Sequence, residues 1–166
     1  MSDGDLIEEI LGIAPGSPLA ELRRRRPEAR RHAQGAWREL LMPEDPGGLS
    51  HRDRAALALR VALREGDRHL AARYRALLNG PEGQEAIMLA EDLTGAPMEG
   101  RLAALLRYAD LVAARPAEVS QATIDALSAM GLTPRDVVAL TQLVSFVPYQ
   151  VRLLAGLRAM TQESAA

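Results

Sequence analysis

Apolar side chains recur three and four residues apart along most of this chain, and no segment sustains an apolar–polar alternation. The pattern predicts helices throughout and no sheet. Punctuation residues divide it. Ser17-Pro18 reads as an N-cap with a first-turn proline and opens a short helix that reaches the run Arg23–Arg26. Pro27 restarts a helix through Trp37 to Met42, and the stretch from Pro43 to Gly48 (PEDPGG) is the clearest loop. Ser50 with Asp53 forms a serine-x-x-acid box ahead of HRDRAALALRVALRE. Gly66 then divides this long apolar run into helices over about 51–65 and 67–78, the second starting at Asp67.

Asn79-Gly80-Pro81 ends one helix and starts another that runs to about Thr94. A further helix over about 99–115 stops at Arg115-Pro116, because the residue before a proline is pushed out of helical space. Ser120 caps a helix through Met130, with Gly131 at the left-handed position beyond it. Thr133, Pro134 and Asp136 supply cap, first-turn proline and acid to a helix whose apolar positions Val137, Leu140, Val144 and Val147 share one face. Pro148 is expected to kink or break it near Val144. A last helix to about Met160 then buries Val151, Leu154 and Leu157. The expectation is an all-α bundle of about seven to nine helices, with two long interrupted helices, 51–78 and 134–160, packed together. An N-terminal helical extension (1–48), a core (49–160) and a disordered tail (161–166) are expected to make one structural domain.

Composition sharpens this picture. Hydrophobic residues make up 48% of the chain and aromatics 3%, so the core is expected to be Leu, Ala, Val, Ile and Met, a helix-favouring set. The net charge of −2 argues against a general polyanion binder. All 20 basic residues are arginine, which a GC-rich genome explains more simply than phosphate recognition does. The run Arg23–Arg26 with Arg30 and Arg31 lacks the interleaved aromatics of a nucleic-acid surface; it reads as a solvated face or as ion pairs across a subunit boundary. The first residues are acidic rather than basic, unlike a secretory leader, and no uninterrupted apolar run approaches the roughly 18 residues of a spanning helix. A cytoplasmic protein with no nucleic-acid or membrane partner is expected.

Ala109-x-x-Val112, Pro116, Asp125-x-x-Ser128-x-x-Gly131-Leu132, Asp136-Val137-Val138 and Tyr149-Gln150-x-Arg152-Leu153 follow one another in order within Leu106–Leu157. This succession resembles the C-terminal half of proteins of the carboxymuconolactone decarboxylase / alkylhydroperoxidase D-like superfamily, in its peroxidase-related branch. A weaker likeness covers 49–78. The resemblance implies an alkylhydroperoxidase D-like helical bundle, homo-oligomers (trimers or hexamers), and peroxidase or decarboxylase chemistry. In that family Cys-x-x-Cys-x-x-x-His opens the second helix of the pair, where a helix N-terminus stabilises a thiolate. Here the two cysteine positions fall on Gly66 and His69, or on Asp67 and Leu70. The histidine position falls on Arg73 or Tyr74, and the upstream glutamate on Arg54 or Ala55. The chain contains no cysteine, so the family's thiol peroxidase mechanism is not open to it.

What remains is a set of candidates. His69, oriented by Asp67, could act as acid or base; equally, it is a surface residue and Asp67 a first-turn acid favoured by the helix dipole. Arg73 and Arg152, with Tyr74, Tyr149 and Gln150, stand where the family builds its pocket and could hold an anionic small molecule. Alternatively the arginines pair with Asp136, Glu65 or Asp67, and Tyr149 packs at the proline kink. There is no phosphate loop, no H-E-x-x-H and no metal-ligand spacing, so no cofactor or metal is expected. Two functions stay open: a small-molecule-binding homo-oligomer without thiol peroxidase activity, or a non-catalytic partner subunit of a cysteine-containing paralogue or neighbouring enzyme.

Overall fold

Helix α4 (His51–Arg64) is the hub of the molecule: every residue from Asp53 to Ala62 is buried. A helix apolar nearly all round belongs inside a bundle, and the alanines at 55, 56, 58 and 62 let neighbouring helices approach closely. Ser50 and Asp53 cap it reciprocally, as the serine-x-x-acid pattern predicts. At its other end Gly66, at φ +78°, takes the left-handed position of a Schellman turn, with Asp67 N–H on Ala62 O (3.1 Å) and Gly66 N–H on Leu63 O (3.1 Å). That turn sends α5 (Arg68–Arg75) back along α4.

The computed structural model describes residues 5–94 and 99–163. Before α4 come α1 (Leu6–Leu11), α2 (Pro18–Arg24) and α3 (Pro27–Leu41). After α5 come α6 (Gly80–Glu91), α7 (Arg101–Ala114), a 3-10 turn (Pro116–Glu118), α8 (Gln121–Ala129) and α9 (Pro134–Glu163). The described residues thus form nine α-helices and no strand, and the expected all-α bundle is what is observed. Helices α5, α6, α7 and α9 surround α4, while α1, α2 and α3 all pack on α9. Of the expected tail, residues 161–163 continue α9 and residues 164–166 lie outside the described residues.

Pro148 does not divide the C-terminal segment. It lies inside α9, a single 30-residue helix, where two helices were expected. The missing N–H and the ring's clash cost about 3 kcal/mol. Against that, Leu140, Leu143, Val144, Val147 and Leu154 are each at most 1% exposed, and burying such side chains contributes roughly 1.5–3 kcal/mol apiece. Tertiary burial outweighs the local breaker. The continuous stretch Pro134–Met160 consequently has the length and apolarity of a spanning helix, with a mean hydropathy of 1.4, although in the bundle it packs against α4 and α7.

Candidate functional site

The junction of α4 and α5 is where the resemblance puts a redox site. Asp67 caps α5 there by accepting from Leu70 N–H at 2.9 Å. Its other carboxylate oxygen receives Arg158 Nη1 from α9 at 2.7 Å, and the residue is 6% exposed. Burial pushes the Asp67 carboxyl upward, but the Arg158 hydrogen bond and charge and the N–H groups of Leu70 and His69 outweigh it and hold the pKa below the usual range. One turn on, Leu70 and Tyr74 are completely buried. The Tyr74 hydroxyl donates to Gln150 Oε1 on α9. Burial pushes the phenol pKa far up, so Tyr74 is a neutral donor at any ordinary pH.

Asp67, Leu70 and Tyr74, spaced three and four apart, therefore form the inward face of α5. The outward face carries the other register. His69 is exposed, and the Asp67 carboxylate that was expected to orient it is taken up by Arg158 and the helix N–H groups. Arg73 is exposed as well and pairs with Glu9 of α1 at 2.7 Å, rather than with Asp136, Glu65 or Asp67. Arg152 is exposed. Tyr149, 46% exposed, stacks on Phe146 with ring centroids 5.8 Å apart. Of the predicted residues, the structure joins Tyr74 to Gln150 directly. Of the two candidates for the upstream glutamate position, Ala55 is buried in the core and Arg54, also buried, donates to the carbonyls of Leu49, Leu40 and Pro46 at 2.9 Å each. It fastens the loop between α3 and α4.

Tyr149 and Gln150 do share a void, of about 10 Å³, also lined by Gln34, Trp37 and Leu153. A cavity of about 250 Å³ adjoins it between α2, α3 and α9 and shares Ala33, Tyr149 and Leu153 with it.

Two charged groups escaped the sequence reading. Arg158 is one; its partner is 91 residues away, and nothing local marks it. Arg60 is the other: its side chain is 1% exposed, and Nη2 reaches Asp110 of α7 at 2.7 Å. Its place inside the apolar run ALALRVAL was the available signal, because an arginine on a core face must have partners.

No family model matches the sequence, and no curated protein matches it. The three-dimensional structure does have a match: an uncharacterized peroxidase-related protein from Silicibacter sp. TM1040. The TM-score is 0.65 at 21% identity, over 79% of this chain and 69% of that one. The fold is shared with a peroxidase-related protein. It is consistent with the alkylhydroperoxidase D-like bundle expected from Leu106–Leu157.

Chemically, the inward face of α5 offers an ion-paired carboxylate, a leucine and a neutral phenol on an amide. The carboxylate is engaged on both oxygens, and neither the leucine nor the neutral phenol is a nucleophile or a base near neutrality. Among the described residues, no group of three His, Cys, Asp or Glu side chains could hold a metal ion.

Proposed function

We propose that this chain is a peroxidase-related, alkylhydroperoxidase D-like protein in which thiol redox chemistry has been replaced by packing, and that it works by binding a small molecule as a homo-oligomer, a trimer or hexamer, in the cytoplasm. The observation that carries the reading is the filling of the α5–α9 interface by Asp67–Arg158 and Tyr74–Gln150. Asp67 and Tyr74 belong to one of the two registers in which the resemblance lays a dithiol and its proton-moving histidine on this chain. A thiolate is the nucleophile in such chemistry, and the chain has none. The exposed or half-exposed apolar side chains Val138, Phe146 and Tyr149 on α9 support self-association.

A hydroperoxide-reduction assay with a dithiol reductant tests the loss of redox function. Turnover no faster than the protein-free blank is expected, and saturable, enzyme-dependent turnover would overturn the reading. Light scattering tests self-association: a single species of three or six chains supports it, and a monomer at micromolar concentration counts against it.

The two side-chain ties between α5 and α9, Asp67–Arg158 and Tyr74–Gln150, also favour a second reading, the non-catalytic partner subunit. Isolation in one defined complex with a cysteine-containing paralogue would establish it over the first.

A further inference from the structure

The cavity between α2, α3 and α9 has an apolar floor made by Leu22, Ala29, Ala33, Leu153 and Leu157. Three arginines, Arg23, Arg26 and Arg30, also line it. Two of them are already neutralised. Arg23 meets Asp5 at 2.7 Å and Glu8 at 3.1 Å, and Arg30 meets the same acids at 3.3 and 3.0 Å. Arg26 is exposed and forms no ion pair among the described residues. An apolar trough with an uncompensated cation on its wall is complementary to a molecule with a hydrocarbon body and one negative end.

Two features extend the space. On the inner side lies the water-sized void lined by Trp37 and Gln150. Trp37 is 5% exposed, and its indole N–H has no acceptor among the described residues. Buried donors are almost always partnered, and a void of this size holds one water or one ligand oxygen. On the outer side, a cavity of about 410 Å³ lined by Leu11, Ile13, Leu19 and Met160 shares Leu22 with the trough. Leu22 is 40% exposed and stands between the two spaces. Both spaces are lined mainly by apolar side chains.

We propose that this trough binds an aliphatic monocarboxylate, with its chain along Leu22, Leu153 and Leu157 and its carboxylate at Arg26. The inference rests on the binding reading above and names the ligand class for it. Phosphorylated or sugar-like ligands would leave most of their polar groups without partners on this floor.

Trp37 is the sole tryptophan and lies beside the proposed site, so its fluorescence reports occupancy. The probes are a terminally brominated undecanoate and the brominated alcohol of equal length, titrated below their micellar concentrations into the full chain. Saturable quenching is expected, with the acid bound about fivefold more tightly than the alcohol at low salt. Arg26→Gln should abolish that preference without shifting the melting temperature, while Arg25→Gln should leave it intact. Absence of saturable quenching, equal binding of acid and alcohol by the unmodified chain, or a preference that survives Arg26→Gln would each overturn the proposal. Hydroperoxide turnover would overturn the redox reading alone, and failure of quenching would overturn this one alone.

Discussion

Tyr74 on α5 donates its hydroxyl to Oε1 of Gln150 on α9, and the two residues are 0% and 3% exposed. The contact joins helices 76 positions apart in sequence and lies beneath the outward face that carries His69 and Arg73. A buried hydrogen bond contributes about 1 kcal/mol net, but stripping one partner costs the desolvation of the other, roughly 1–3 kcal/mol. Tyr74→Phe and Gln150→Leu should therefore each destabilise the fold by about 1–3 kcal/mol in urea denaturation. The double variant should be less destabilised than the sum of the two, because neither polar group is then left alone. Strict additivity would mean that the two groups do not depend on one another.

The second tie across the same interface, Asp67 to Arg158, gives a pH signature. The carboxyl is lowered in the folded state, so its stabilising contribution is complete above the ordinary aspartate value of about 4. It is lost as pH falls through the lower folded value. Asp67→Asn keeps a good N-cap and removes only the charge. At pH 7 this variant should be less stable by about 1–2 kcal/mol, at the modest end for a buried pair because the Arg158 side chain is 35% exposed. The gap to the unmodified chain should narrow below about pH 4 and close in stronger acid, as denaturation midpoints against pH would show. A gap that stays constant with pH would mean that the ion pair is not its source.

Local hydrogen bonds are what the sequence made legible. The boxes Ser50/Asp53 and Thr133/Asp136 and the left-handed Gly131 are decided within four residues, and the structure has all of them. The inward face of α5 was also readable, since Leu70, Ala71 and Tyr74 fall on one side and place His69 and Arg73 on the other. The break expected at Pro148 does not occur because its cost is local and the burial that overrides it comes from α4 and α7. Arg158 was missed for a related reason: a charge pair between distant helices leaves no spacing in the sequence.

Arg60 holds three elements at once. Its Nε and Nη2 engage both oxygens of Asp110 on α7, and its Nη1 reaches the carbonyls of Ala90 and Asp92 at the C-terminal end of α6. A lysine supplies a point charge and cannot span these acceptors. Arg60→Lys should cost about 3 kcal/mol, with amide exchange accelerating first at the end of α6. Arg64, which also reaches Asp110 but is 36% exposed, should cost less than about 1 kcal/mol as alanine. Equal losses at the two positions would show that burial is not what separates them.

The loop between α3 and α4 depends on close approach of backbone to carboxylate. Gly48 N–H donates to Asp136 Oδ1 at 2.8 Å, and a Cβ built on Gly48 would stand 2.6 Å from Oδ2. That carboxylate cannot swing aside freely. It is 3% exposed, and Oδ2 accepts from Thr133 N–H at 2.9 Å and from the Thr133 hydroxyl at 2.7 Å, the bonds that cap α9. Any added methyl must therefore displace the loop or break the cap. Gly48→Ala should cost about 1–3 kcal/mol, and Asp136→Ala about 1–2 through loss of the cap and of the loop's acceptor. Once the carboxylate is gone the methyl meets no oxygen, so the double variant should be more stable than the summed single losses by at least about 1 kcal/mol. Denaturation of the four proteins gives this coupling directly. A coupling near zero would mean that the methyl is accommodated by movement of the loop rather than opposed by Asp136.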